Sequence, residues 1–159
     1  MKTILCSIVV LLMCPSIGPA QMSLGKESLK GLGSVRVLIE DLNPDLVKVG
    51  IDKDRLQQDV ELRLRRSGIK VVSPAAASPY LYIIIASTRI GNTPTVAFSI
   101  HVTLRQRVSL ERNLSIKMFA DTWRGSIVIA ANSNLTQIRD TLADAVDTFI
   151  NDYLAENVR

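Results

Sequence analysis

The stretch VAFSIHVTLRQR, residues 96–107, alternates apolar and polar side chains along most of its length. Successive strand residues point to opposite faces of a sheet, so this pattern predicts one long β-strand with an apolar face and a polar face. The apolar face carries Val96, Phe98, Ile100, Val102 and Leu104. The polar face carries Ala97, Ser99, His101, Thr103, Arg105 and Arg107. Such a strand belongs to a sheet that has its core on one side and solvent on the other.

A second alternating stretch, residues 114–130, follows a turn at Glu111-Arg112-Asn113 and predicts a strand that pairs with the first. If Leu110 pairs with Leu114, the antiparallel register defines which residues face one another across the two strands. The expected pairs are His101 with Trp123, Thr103 with Asp121, and Arg105 with Phe119.

This register places four candidate binding residues on the polar face of the sheet: His101, Arg105, Asp121 and Trp123. An imidazole, a guanidinium, a carboxylate and an indole on one surface can form a polar pocket or a recognition patch. Each of them also has a structural interpretation, because solvent-facing strand histidines and tryptophans that cover a sheet are common. A slip of one residue would distribute the four over both faces.

The rest of the chain predicts three more strands and two helices. The strands are residues 35–40, 69–72 and 80–89. The first helix begins at Ile51 or Asp52 and ends at Gly68, with an apolar residue at every fourth position from Leu56. The second has an apolar face of Leu135, Ile138, Leu142, Val146, Phe149 and Tyr153, and a solvent side of Arg139, Asp140, Asp144, Asp147 and Asp152.

The order β-α-β-β-β-β-α predicts the α+β class. We expect a mixed or mainly antiparallel five-stranded sheet with two helices packed on one face.

Residues 1–20 have the parts of a secretory signal peptide: Lys2, an apolar run over residues 4–13, and a helix-breaking stretch that ends at Ala20. The run is shorter than the roughly 20 apolar residues that span a bilayer. We expect a mature chain that starts at Gln21, with a flexible lead-in over residues 21–33 and a single α/β domain over residues 34–159. The alternative is lipidation of Cys14, the one route by which we expect membrane contact, although Met13 stands where lipoprotein signals have a small residue.

Composition narrows the chemistry of the mature chain. Removal of residues 1–20 lowers the formal net charge from +4 to +3, which is too small an excess to indicate a nucleic-acid partner. Both cysteines lie within the signal peptide, and His101 is the sole histidine. We therefore expect no disulfide, no metal site and no cofactor.

Several segments resemble small uncharacterised exported bacterial proteins. In outline the chain is similar to envelope α/β domains: the TolB N-terminal domain, the curli-secretion lipoprotein and the outer-membrane activators of penicillin-binding proteins. The resemblance rests on residues 35–40, 50–51, 60–61, 64–65, 68–71 and 79–81. It implies a binding or assembly module, and it assigns no catalytic residue to this chain.

Two hypotheses of function follow. The first is an exported, periplasmic or secreted, non-enzymatic module of the bacterial envelope that binds a protein partner through an exposed strand edge. The alternative is a small-molecule binder or hydrolase that uses the sheet face of His101, Asp121 and Trp123.

Overall fold

The structure, a computed structural model, describes residues 23–73, 79–93, 95–125, 127–132 and 136–157. A 3₁₀ helix at Lys26–Leu29 comes first. The strands are β1 (Arg36–Ile39), β2 (Tyr80–Arg89), β3 (Val96–Leu110), β4 (Asn113–Arg124) and β5 (Val128–Asn132). The α-helices are α1 (Pro44–Lys48), α2 (Lys53–Arg66) and α3 (Thr136–Asn157). The predicted α+β class is confirmed.

The five strands form one mixed sheet around the long strand β3. The order is β1-β2-β3-β4, with β1 and β2 parallel and the other pairs antiparallel. β5 also pairs with β3, over residues 96–100, whereas β4 pairs with residues 103–110. β4 and β5 therefore follow each other along the same side of β3.

Helix α2 begins and ends where the sequence predicts. The Asp52 side chain accepts hydrogen bonds from the backbone N–H groups of Asp54 and Arg55, which caps the helix. Three arginines crowd the last turn, where the helix dipole favours cations. Gly68 then takes a left-handed conformation, with φ of +82°, and ends the helix.

The core lies between the apolar face of the sheet and the helices. Its strand members include Leu81, Ile83, Ile85, Phe98, Ile100, Val102 and Leu104, and its helix members include Leu56, Val60, Leu64, Ile138, Leu142, Val146 and Phe149. These are the periodic apolar positions of the sequence, so the predicted apolar faces of β3, α2 and α3 are confirmed at these residues.

Two predicted strands are wrong in extent. Residues 69–72 do not form an extended strand. They meet the sheet at one position, a single β-bridge between Val71 and Val35. The predicted strand over residues 114–130 breaks after Arg124, where the N–H of Gly125 donates to the carbonyl of Val102. The break divides this predicted strand into β4 and β5, so the described sheet still has the five strands that we expected.

The prediction of a flexible lead-in over residues 21–33 is also wrong for residues 23–33. Leu29 and Leu32 are buried in the core, and Tyr153 of α3 donates a hydrogen bond to the carbonyl of Leu32. Such a short segment has too few apolar residues to show a period.

The predicted signal peptide, Cys14 and the cleavage site before Gln21 lie outside the described residues. Among the helices that the structure describes, none combines the length and the apolar character that crossing a membrane requires.

Candidate functional site

The structure brings three of the four predicted site residues together on one face of the sheet. His101 and Arg105 of β3 and Asp121 of β4 line a cavity of about 220 Å³. We call this the open face, the side of the sheet that carries Tyr82, His101 and Arg105. The cavity is completed by Tyr82, Ile84, Thr103, Arg124 and Ile127.

The predicted placement of Trp123 is wrong, because the register of the hairpin differs from the expected one. Leu110 pairs with Asn113, and Arg105 pairs with Asp121. A bulge then inserts one extra residue of β4 and sets Trp123 opposite Leu104. The inserted residue turns the indole to the core face, where it is 1% exposed and packs edge-on against Phe149 with ring centroids 5.0 Å apart.

Arg105 and Asp121 form a fixed wall of the open-face cavity. Arg105 Nε donates to Asp121 Oδ1 over 2.7 Å, and its guanidinium lies 4.0 Å from the centre of the Tyr82 ring. The hydrogen bond to Asp121 raises the pKa of Arg105 above its ordinary value. Burial, with a further contribution from Glu40, raises the pKa of Tyr82, which keeps the phenol neutral.

The hairpin of β3 and β4 extends beyond the rest of the sheet. β2 begins opposite Arg105, so residues 106–110 of β3 pair with β4 alone. We call residues 106–120 the arm. Four of its large apolar side chains are exposed: Leu114 70%, Ile116 43%, Met118 48% and Phe119 52%. Such a cluster of exposed apolar residues is typical of an interaction surface.

The outer edge of β4 is open along the arm. Within the described residues, Leu24 pairs with this edge only at Arg124, and no strand pairs with it from Asn113 to Asp121. Leu114, Ile116 and Met118 are exposed apolar residues at alternate positions of β4, and we call them the apolar stripe. Residues 114–116 have no partner on β3, because the register shifts between the Ser109–Lys117 pair and the Leu110–Asn113 pair. The arm also carries a positive charge, since it contains Arg107, Arg112 and Lys117 against one acid, Glu111.

A larger cavity, about 520 Å³, lies between α2 and α3. Four of its charged side chains face each other in two pairs. Arg63 donates to both carboxylate oxygens of Asp147 over 2.7 and 2.6 Å, and Arg139 lies 3.7 Å from Asp59. These ion pairs link α2 to α3, so the paired charges in this cavity have a structural role.

A polar network around Asp152 is a feature that the helix pattern missed. Asp152 is 6% exposed, so its predicted solvent position on α3 is wrong. It accepts hydrogen bonds from Ser23 Oγ and from Trp123 Nε1, the latter over 3.0 Å, and lies 2.8 Å from Lys26 Nζ. Asp152 follows Phe149 by three residues and therefore lies at the border of the apolar face of α3. This spacing is the sign of burial that the sequence contained.

The environment of Asp152 favours its charged form. Burial raises the pKa of this carboxyl, but the hydrogen bonds from Lys26, Ser23 and Trp123 outweigh burial and hold the pKa below its ordinary value. The hydrogen bond between Lys26 and Asp152 also raises the pKa of Lys26. Among the residues described, no group of three or more histidine, cysteine or acidic side chains is placed to hold a metal ion.

No protein-family model and no curated protein sequence matches the chain. Among solved structures, the fold is similar to that of a minor lipoprotein from Acinetobacter baumannii, at 10% sequence identity and a TM-score of 0.33. The match covers 79% of this chain and 93% of the lipoprotein chain. At this TM-score the likeness supports no inference about function.

Proposed function

We propose that this protein is an exported, non-enzymatic binding module, and that the arm receives an extended segment of a partner protein along the open edge of β4. The observation that carries the proposal is the apolar stripe beside an edge to which no described strand pairs from Asn113 to Asp121. An exposed apolar edge of this length promotes aggregation unless another strand covers it. A partner strand would bond to the free backbone groups and cover the stripe.

The chemistry of the arm defines the partner segment. Side chains of an added strand alternate between the two faces of the sheet. One face would meet the apolar stripe, and the other would meet Arg107 and Lys117, which flank Phe119 on the opposite face. The partner segment therefore alternates apolar with acidic residues.

The open-face residues support binding over catalysis. Asp121 is held by Arg105, so it does not orient His101 as the acid of a hydrolytic triad does. Trp123 is in the core and belongs to no surface site. Among the described residues, His101 and Asp121 make no hydrogen bond to each other, so this pair gives the hydrolase alternative no support.

A peptide titration tests the proposal. The probe is a fluorescent peptide that alternates valine with glutamate, and its anisotropy is measured against the chain that starts at Gln21. The expected result is saturable binding that is lost in a peptide of the same composition with the alternation scrambled. A peptide that alternates valine with lysine should also fail, because it opposes the charge of the arm.

Two variants and two matched controls locate the binding surface. Ile116→Lys and Lys117→Glu should each weaken binding of the valine–glutamate peptide by about tenfold, through lost apolar contact and reversed charge respectively. Leu62→Lys on α2 and Lys48→Glu on α1 alter residues of similar exposure away from the arm and should leave binding unchanged. Equal effects of arm and control variants would refute the proposal.

A further inference from the structure

The open-face cavity contains hydrogen-bonding groups that the fold does not use. Thr103 is 7% exposed, and its buried hydroxyl has no hydrogen-bond partner among the described residues. In the part of the chain that the structure describes, the imidazole of His101 makes no hydrogen bond either. Arg124 approaches Asp121 only at 3.7 Å, beyond hydrogen-bond distance. A buried hydroxyl with no partner destabilises a fold, so its presence at a cavity calls for an explanation.

We infer that this cavity binds a small organic carboxylate, held by Thr103, His101 and Arg124. A hydroxyl, an imidazole and a guanidinium can all donate hydrogen bonds, and carboxylate oxygens accept them. The lining of the cavity includes two guanidinium groups, of Arg105 and Arg124, and one carboxylate, of Asp121, so the lining carries one net positive charge. The carboxylate of Glu40 acts on Tyr82 from outside this lining. The site is separate from the arm, and the inference does not depend on the proposed function.

The walls of the cavity define the rest of the ligand. Ile84 and Ile127 supply apolar surface, and the Tyr82 ring is fixed by the guanidinium stacked on it. Ligand sites commonly combine apolar walls with a few convergent polar groups. A volume of about 220 Å³ is below the 300–1,000 Å³ of drug-sized sites, so the ligand is a small molecule with an apolar body.

Three probes of the same shape and different charge test the inference. Benzoate, benzamide and benzamidinium are titrated into the isotope-labelled chain that starts at Gln21, and backbone amide shifts are followed by NMR. Benzoate should give saturable shifts at Tyr82, His101 and Thr103. Benzamide should bind at least about tenfold more weakly, and benzamidinium should not bind, because the donors favour a negative charge. Equal binding of benzoate and benzamide would overturn the inference.

Thr103→Val separates a ligand-binding role from a structural one. The substitution removes the unpartnered hydroxyl and keeps the branched shape, so the thermal unfolding temperature should rise by about 3 °C while benzoate affinity falls about tenfold. A merely structural Thr103 would give lower stability with unchanged affinity, and that result would contradict the assignment.

Arg124→Gln has a closely matched control. The substitution should weaken benzoate binding by about tenfold or more, since it removes the charge that faces the carboxylate. Arg139→Gln removes an arginine with the same 3.7 Å ion-pair distance on the helical side of the molecule and should leave binding unchanged. Loss of benzoate binding in both variants would indicate non-specific attraction and refute the site.

Discussion

Asp152 ties three parts of the chain together through Ser23, Lys26 and Trp123. Asp152→Asn keeps the shape of the side chain but removes the charge that these donors stabilise. The free energy of unfolding should fall by about 1.5–3 kcal/mol, the range for hydrogen bonds to charged groups. Urea titration at about pH 7 measures it. Asp144→Asn, at an exposed position of the same helix, should change stability little, and an equal loss in both variants would contradict the role of Asp152.

The same carboxyl predicts how stability depends on pH. Its folded pKa lies below the ordinary value of 3.8, so its contribution is present above that value and is lost as the pH falls through the lowered one. The raised pKa of Lys26 acts in the opposite direction: its contribution is present below 10.5 and is lost as the pH rises through the folded value. The stability difference between wild type and Asp152→Asn should therefore shrink in acid, and urea midpoints across the acid range test it. A difference that does not change with pH would argue against this linkage.

Gly25 and Gly31 offer a matched test of backbone conformation and steric fit. Both have a left-handed φ, +80° and +73°, but a Cβ at Gly25 would lie 1.9 Å from the carbonyl oxygen of Thr122, while no described atom lies within 4 Å of a Cβ at Gly31. Gly31→Ala should cost about 1 kcal/mol from the backbone alone. Gly25→Ala should cost at least about 2 kcal/mol more, because the segment before β1 must shift off β4. Equal costs in chemical denaturation would mean that this contact is absent.

Helices and strands with many periodic positions could be predicted from the sequence. Structural features that depend on a single residue could not. The alternation of β3 and the fourfold spacing of α2 mark their buried faces directly. The register of β3 against β4 depends instead on the turn, on the unpaired residues 114–116 and on the residue inserted beside Trp123, none of which the apolar alternation specifies. His101, Arg105 and Asp121 could thus be placed together, while Trp123 and the partners of Asp152 could not.

The arm should be separable from the folded core. Replacing residues 109–117 by Asn-Gly joins Val108 to Met118, which already face each other, through a two-residue turn that favours hairpins. The side chains removed are exposed or half-buried, so the free energy of unfolding should change by less than about 1 kcal/mol. Binding of the valine–glutamate peptide should disappear at the same time. A loss of several kcal/mol in urea denaturation would show instead that the arm belongs to the cooperative core.

Over the whole molecule, the segment before β1 is part of the domain. Leu29 and Leu32 are buried, Ser28 donates to the carbonyl of Thr122, and Asn157 of α3 donates to the carbonyl of Leu29. These contacts close the end of the sheet where β4 passes into β5. The sequence of this segment has scattered glycines and single leucines without a periodic pattern. It therefore predicts a flexible lead-in instead of a packed segment.

The position of the domain boundary can be tested with two shortened chains. A chain that starts at Gln21 keeps every described contact and should unfold cooperatively. A chain that starts at Ser34 loses two buried leucines, worth about 1.5–3 kcal/mol each, together with Ser23 and Lys26, two of the three donors to Asp152. That loss is comparable to the 5–15 kcal/mol that stabilises a typical domain, so the shorter chain should be unfolded or lose most of its stability in urea denaturation monitored by circular dichroism. Equal stability of the two chains would place the boundary after residue 33 and contradict the packing of the N-terminal segment.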